Sequence, residues 1–298
     1  MQAVLEFTEF ALQPGTCIGP YRLIKRLQQG GMSTVYLGYH MPSRACVAIK
    51  VVDSYAVDLK MVYREIEIMQ ALEHNHIVPC LDAGAYRNYH YLVMPYLRGG
   101  SLEDRLTGNV LTLQETSIIL EQLTSALAYI HSLGLLHRDI KPANILFDHN
   151  NNLYLTDFGI VTWLGEKPGY DGHLMGTPHF IAPEILEGQV DERSEIYSIG
   201  ILLYQMLTGY VPFDGPSDQI CMHHWKTQPM APSLLNPSLP RPVERVILRA
   251  LEKDPRHRYQ SIEELLCAYQ RAIEIPTLLK QFSSQLQETR QKLESLCH

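Results

Sequence analysis

The chain has 298 residues, 46% of them hydrophobic and 19% charged, so it can bury a substantial core as one large domain or as two lobes. Its formal net charge of −7 argues against a general nucleic-acid binder and against a protein that adheres to anionic membranes. No run of about 18 apolar residues occurs, so we expect no membrane span.

The N-terminal segment and the cysteines indicate the compartment. Residues 1–14 have no Lys or Arg ahead of their apolar residues, which argues against a secretory signal. The six cysteines form no C-x-x-C pair and no metal-finger spacing, so we expect reduced thiols in a cytoplasmic protein. Among the thirteen histidines, the "MHHW" stretch at 222–225 is interpreted as a partly exposed helix face rather than a ligand cluster.

The first third of the chain favours short strands, because β-branched and aromatic residues alternate between Gly, Pro and polar turns. The predicted strands cover 21–27, 34–40, 45–52 and 89–96. One predicted helix, 59–72, interrupts them, with its apolar residues in a single stripe. Glu65 lies in the middle of that stripe, whereas Glu67 should face solvent.

The rest of the chain has helical periodicity. The predicted helices cover 114–132, 195–207, 242–252 and 261–274. A strand-rich front and a helix-rich back therefore meet near residues 95–100, which predicts an α+β fold of two lobes with ligand sites in the cleft between them. The predicted divisions are an N-terminal extension (1–17), an N-lobe (18–95), a C-lobe (96–272) and a C-terminal helix (273–298).

The last segment of the chain carries apolar residues at alternating spacings of three and four, as in a coiled-coil seam. They are Leu279, Phe282, Leu286, Leu293 and Leu296, and Thr289 occupies the remaining position of the seam. Fewer than three full heptads are visible. Two interpretations stay open: a helix packed on its own domain, or a coiled coil that forms a homodimer or links to further domains.

Four short motifs follow one another in a fixed order, after a glycine-containing loop, "LQQGGMSTVYLG", at 27–38. They are "VAIK" at 47–50, "HRDIKPAN" at 137–144, "DFG" at 157–159 and "APE" at 182–184. Together they resemble the protein kinase signature set. "GGMSTVY", "HRDIKPANILFD" and "KDPRHRYQS" are most similar to the bacterial serine/threonine kinases of the eukaryotic-like type.

This resemblance covers roughly residues 18–272 and implies a bilobal kinase fold, with a small β-rich N-lobe containing one major helix and a larger, mainly helical C-lobe. It implies a signalling enzyme that transfers the γ-phosphate of ATP, with Mg²⁺, to Ser or Thr hydroxyls of proteins. Neither nucleic acid nor a membrane span is expected.

The resemblance also assigns catalytic roles. Lys50 would contact the α- and β-phosphates and form an ion pair with Glu65, which explains a carboxylate within an apolar stripe. Asp139 would accept the proton of the substrate hydroxyl, and Lys141 would contact the γ-phosphate. Asn144 would bind Mg²⁺ together with the Asp of "DFG", Asp157, because both supply hard oxygen donors.

A set of residues is implied to bind the nucleotide. It consists of Leu27, Gly30, Gly31, Ser33, Val35, Ala48, Lys50, Met94, Pro95, Leu97, Asn144 and Asp157. Leu27, Val35 and Ala48 would enclose the adenine. The adenine edge would meet the carbonyl of Pro95 and the backbone of Leu97, so the missing N–H of Pro95 does no harm.

The loop departs from the family pattern, since its three glycine positions hold Gln28, Gly30 and Ser33. A left-handed backbone costs a residue other than Gly roughly 1–2 kcal/mol. We expect Gln28 to stay in the strand and the small Ser33 to permit close approach, so that the loop binds ATP more weakly without loss of catalysis.

Three further residues match structural positions of the family. Glu184 and Arg258 are expected to form a buried ion pair. Glu195 stands where the family has an Asp that braces the backbone of the catalytic loop, and its extra methylene should shift that brace slightly.

Two other classes of function were weighed. A nucleotide-binding pseudokinase scaffold, signalling through its C-terminal helix, is disfavoured because Lys50, Asp139, Asn144 and Asp157 are all present. A small-molecule kinase of the same fold is disfavoured by "GTPHFIAPE" and "KDPRHRYQS", which resemble a peptide-binding platform and its support.

Overall fold

A computed structural model of the chain describes residues 12–30, 33–55, 57–159, 161–163 and 177–274. The chain divides into two compact units, Met1–Arg98 and Gly99–His298, called here the N-terminal and C-terminal units. The first is rich in strands and the second in helices, which confirms the α+β prediction. The division falls a few residues after the predicted end of the N-lobe at 95.

In the N-terminal unit, the described residues form a six-stranded antiparallel sheet and one helix. The strands are β1 (Cys17–Ile18), β2 (Tyr21–Gln29), β3 (Ser33–His40), β4 (Ala45–Asp53), β5 (Asp82–Tyr86) and β6 (Tyr89–Pro95), and the helix is α1 (Leu59–Ala71). The strand order is β1-β2-β3-β4-β6-β5. The Asp58 carboxylate accepts a hydrogen bond from the Lys60 N–H and caps α1.

The register of this sheet separates two faces. Tyr36, Ile49 and Val93 pair directly with one another and are buried in the apolar core of the unit. Side chains alternate between faces along a strand, so their neighbours in sequence lie on the opposite face. Lys50 is one of these neighbours, and the sheet therefore presents it away from that core.

The C-terminal unit is mainly helical. Its helices are α2 (Leu102–Leu106), α3 (Leu113–Ser132), α4 (Glu192–Thr208), α5 (Ser217–Lys226), α6 (Pro232–Leu235) and α7 (Arg241–Ala250), and residues 262–274 are also helical. Two small antiparallel sheets join β7 (Leu135–Leu136) to β10 (Thr162–Trp163) and β8 (Ile145–Phe147) to β9 (Leu153–Leu155).

Helix α4 forms the centre of this unit. The Asp191 side chain caps its first turn, and Gly209, with a φ of 83°, ends it in the left-handed conformation that glycine permits. Nearly all of its side chains are buried. The helix begins at Glu192, before the predicted residue 195. The prediction missed its first turn because that turn is polar and carries no apolar periodicity.

No helix within the described ranges combines the length and the apolar character needed to cross a bilayer. The predicted C-terminal seam, from Leu279 to Leu296, lies outside the described residues and stays a prediction.

Candidate active site

Lys50 and Glu65 form a buried ion pair in the N-terminal unit. The Lys50 Nζ lies 2.5 Å from Glu65 Oε1, and each residue is 9% exposed. Strand β4 supplies the lysine and helix α1 supplies the carboxylate. The carboxylate within the apolar stripe thus has the cationic partner that its burial requires, whereas Glu67 is exposed as predicted.

Three of the residues implied in adenine binding share the Lys50 face of the sheet. Val35 pairs directly with Lys50, and Ala48 pairs directly with Met94. Directly paired side chains project to the same face, and positions 48 and 50 are two residues apart on one strand. The register therefore aligns an apolar surface beside the ammonium group.

The other residues of the nucleotide set lie along the strand ends. Leu27 is in β2 and is 39% exposed, Pro95 is the last residue of β6, and Leu97 follows it. Gln28 remains in β2, as predicted. In the glycine loop, the Gly30 N–H donates to the Ser33 carbonyl oxygen at 2.8 Å, while Gly31 lies outside the described residues.

The C-terminal unit gathers three polar side chains around Asp139, which is 8% exposed. Its Oδ2 accepts hydrogen bonds from Lys141 Nζ at 2.6 Å and from Asn144 Nδ2 at 2.9 Å. Its Oδ1 accepts a bond from Thr177 Oγ1 at 3.2 Å, and Thr177 accepts one from Lys141 at 2.9 Å. Three donors thus orient a single carboxylate.

The sequence indicated Thr177 only as part of a substrate platform. The structure places its hydroxyl within hydrogen-bonding distance of both Asp139 and Lys141. The "GTP" pattern is the only sequence signal for this position, because 38 residues separate Thr177 from Asp139 in the chain.

The backbone of the catalytic loop, 137–144, is strained and well anchored. Arg138 and Asp157 both have a φ of 67°, in the left-handed region that residues other than Gly seldom adopt. The Thr156 N–H donates to the Asn144 carbonyl at 3.0 Å, and His137 Nε2 donates to the Thr156 carbonyl at 3.0 Å. These bonds hold the segment around Asp157 against the loop.

The donor chemistry here fits Mg²⁺. Within the described part of the chain, Asn144 uses its Nδ2 for both of its side-chain hydrogen bonds, which leaves the lone pairs of Oδ1 for a hard cation. Asp157 comes directly after Thr156, which is bonded to Asn144. A cluster of three or more His, Cys, Asp or Glu suited to a metal ion is not found among these residues.

His137 packs against an aromatic ring and bonds the backbone of two segments. Its ring packs edge-on against Phe158, with 4.8 Å between centroids, and its Nδ1 accepts a hydrogen bond from the Asp139 N–H at 3.3 Å. Both ring nitrogens of His137 therefore hold backbone groups.

Glu195 braces the catalytic loop. Its Oε1 accepts a hydrogen bond from the Arg138 N–H at 2.8 Å, and its Oε2 pairs with His131 Nε2. Sequence reasoning expected the brace but missed His131. Nothing in the "YIHSLG" pattern around it distinguishes this histidine from a surface residue of α3.

The predicted ion pair of Glu184 and Arg258 is confirmed. Arg258 Nη1 and Nη2 bond the two carboxylate oxygens at 2.6 and 2.7 Å, and the Ser194 hydroxyl donates to Oε1 at 2.7 Å. The other guanidinium bonds go to the carbonyl oxygens of Arg193, Lys253 and Glu252. All five N–H groups of this arginine are used.

The "MHHW" stretch lies on α5 and is a partly exposed face, as predicted, since Met222 and Trp225 are exposed. His224 is the buried member of this stretch, with 0% exposure. Its Nδ1 lies 2.9 Å from the Tyr197 hydroxyl, and its ring contacts Phe213 edge-on. Burial, together with the charge of Lys253, lowers the pKa of His224 to about 3. The helix buries this residue because α5 packs against the segments that follow Thr177.

Comparison with known proteins identifies the family. A family model described as a protein kinase domain matches residues 21–269. The chain belongs to this family.

Three curated relatives are bacterial. The serine/threonine-protein kinase PrkC of Bacillus subtilis is 38% identical over 255 residues, covering 83% of this chain and 39% of that protein. The probable serine/threonine-protein kinase PknB of Lactococcus lactis is 35% identical, with coverages of 83% and 41%. Pkn1 of Myxococcus xanthus, also a serine/threonine-protein kinase, is 35% identical, with coverages of 87% and 39%. The chain thus spans about two fifths of the length of these relatives.

Proposed function

We propose that this protein is an ATP- and Mg²⁺-dependent protein kinase that phosphorylates Ser and Thr hydroxyls of proteins in signalling. The observation that carries the proposal is the hydrogen-bonded group of Asp139, Lys141, Asn144 and Thr177. The names of the bacterial relatives support the same activity.

Asp139 is proposed as the base. Its carboxylate is held by donors on both oxygens, so a substrate hydroxyl that replaces one of them meets an oriented acceptor. Lys141 neutralises charge on the transferred phosphoryl group, and it already bonds Asp139 and Thr177. Proton acceptance by a base such as Asp139 is worth about 10²- to 10⁴-fold in rate.

Asn144 and Asp157 are proposed as the Mg²⁺ ligands, and Lys50 as the cation that binds the α- and β-phosphates. Mg²⁺, when bound, neutralises phosphate charge during transfer. The Glu65 carboxylate holds the Lys50 ammonium in place. The apolar surface formed by Val35, Ala48 and Met94 would bind the adenine, next to Leu27 and the backbone of Pro95 and Leu97.

A cytoplasmic location and self-association are also proposed. The cysteines of the described residues are all free thiols, which fits a reducing compartment. The apolar seam of 279–296 supports a homodimer or a link to further domains. An unchanged monomeric mass with and without residues 276–298 would refute the dimer.

Mass spectrometry of phosphosites tests the activity. The protein and a generic basic protein are incubated with ATP and Mg²⁺, with Asp139→Asn as the matched control. We expect new phosphates on Ser and Thr with the wild type and almost none with the variant. Equally low labelling by both proteins would favour the pseudokinase scaffold, and labelling confined to Tyr would overturn the Ser/Thr assignment.

A further inference from the structure

Glu195 and His131 form a buried pair behind the catalytic loop. The side chains are 2% and 7% exposed, and they join the first turn of α4 to the last turn of α3. One oxygen of the carboxylate bonds His131 Nε2, and the other accepts the Arg138 N–H. A single buried carboxylate thus connects an imidazole to the backbone next to Asp139.

The surroundings of the pair favour its charged form. Burial lowers the pKa of His131, but the hydrogen bond and charge of Glu195, with the charges of Glu192 and Glu263, outweigh burial and leave this pKa raised. Burial raises the pKa of Glu195, but the hydrogen bond and charge of His131, with the neighbouring His137 and the Arg138 N–H, leave it lowered. Both directions describe an imidazolium that faces a carboxylate.

The hydrogen bond from the Arg138 N–H to Glu195 holds a residue of the loop that has a strained backbone. Arg138 has a φ of 67°, and such a conformation persists only when surrounding contacts impose it. Asp139 is the next residue. A turn of this backbone would therefore move the carboxylate that accepts the substrate proton.

We infer that His131 is a positioning residue for phosphoryl transfer: it holds the Glu195 carboxylate against the Arg138 N–H and thereby fixes Asp139. This inference rests on the proposed kinase activity. Without the imidazolium, the buried carboxylate loses its compensating charge. It then gains a proton or draws in water, and its bond to the backbone weakens.

Two variants and two readouts test this role. His131→Gln keeps a donor but removes the charge, and His149→Gln, at an exposed turn, is the matched control. Kinetic constants are measured from about pH 6.5 upward, and amide hydrogen exchange is followed for the segment 137–144.

For His131→Gln we expect kcat to fall about tenfold to a hundredfold, because a small misplacement of a catalytic group has an effect of this size. The KM for ATP should stay within about twofold of the wild-type value, because the KM reports binding common to the ground and transition states. Wild-type kcat should decline as the pH rises through the raised pKa of His131, and the variant should lack that decline. Hydrogen exchange at the Arg138 amide should accelerate in His131→Gln but not in His149→Gln.

An unchanged kcat and pH profile in His131→Gln would overturn the inference, as would an equal loss of kcat in both variants. Hydrogen exchange distinguishes a failure of the His131 role from a failure of the kinase proposal, since the exchange measurement needs no enzymatic activity. If the wild type transfers no phosphate, unchanged protection of Arg138 in His131→Gln still refutes the role. If His131→Gln does not fold, wild-type protection at Arg138, corrected for intrinsic exchange, must fall with rising pH.

Discussion

Two clusters in the C-terminal unit are built from the same parts, a carboxylate and a cation, yet they differ in how completely their hydrogen bonds are used. Around Glu184, all five N–H groups of Arg258 are bonded and the arginine side chain is 0% exposed. Around Asp139, the Lys141 side chain is 21% exposed and the partners include a hydroxyl and an amide. We call the first cluster sealed, because its cation has no exposed surface, and the second open, because its cation is partly exposed.

This difference separates stabilisation from chemistry. When every donor of a buried guanidinium is bonded, the loss of any partner leaves a buried polar group unsatisfied. A substitution in such a cluster therefore lowers the free energy of unfolding. A carboxylate whose partners can exchange with a substrate hydroxyl contributes to the rate instead. Substitutions in the two clusters should therefore act on different measurements.

The largest effect is expected for Asp139→Asn. Phosphoryl transfer should fall about 10²- to 10⁴-fold, because the proposed base is lost while the shape of the side chain is kept. The melting temperature should stay close to the wild-type value. Labelled phosphate transfer and thermal unfolding on the same preparation check this. A variant that retains transfer would remove Asp139 from the reaction.

Lys50→Met, in the N-terminal unit, should affect both phosphoryl transfer and stability. Transfer should be abolished, since a cation at the phosphates is lost. The variant also leaves Glu65 buried without this cation, so stability should fall, and adding Glu65→Gln should restore the melting temperature without restoring transfer. Recovery of activity in the double variant would show that the pair serves only the fold.

Arg258→Met should affect stability rather than chemistry. Removing one partner of a buried ion pair costs about 3–5 kcal/mol, and here three backbone carbonyls lose a donor as well. The double variant Glu184→Gln with Arg258→Met should be less destabilised than the single one. Urea unfolding measures both. Equal losses would mean that the charge of Glu184 is unimportant.

The last effect is confined to acid. The folded pKa of His224 is about 3, against an ordinary value of 6.5. Between these values the unfolded chain binds a proton that the folded chain does not, so the contribution is present above pH 6.5 and is lost as the pH falls towards 3. His224→Phe should therefore show a flatter decline of stability in acid, whereas the exposed control His149→Phe should not. Identical slopes would contradict the burial of a neutral imidazole.

Patterns local in sequence predicted much of this molecule. The strand-rich front and the long helices follow from alternation and periodicity. The apolar stripe around Glu65 indicated that this carboxylate needs a partner, and the family resemblance implied that Lys50 is that partner. The Glu184–Arg258 pair followed from the family resemblance alone.

Other features depend on packing between distant segments. His131 and His224 look polar and local in the sequence, but each is buried because a second segment packs on its helix. The hydroxyl of Thr177 reaches Asp139 across 38 residues. No periodicity encodes such a contact, since the three-dimensional path of the chain decides which side chains meet.

The most direct test of the account is phosphoryl transfer per folded molecule, measured for Asp139→Asn and Arg258→Met at a temperature where both are partly or wholly folded. We expect the folded fraction of Arg258→Met to transfer phosphate at nearly the wild-type rate and fully folded Asp139→Asn to transfer almost none. Equal loss of transfer per folded molecule in both variants would contradict the separation of the sealed cluster from the open one.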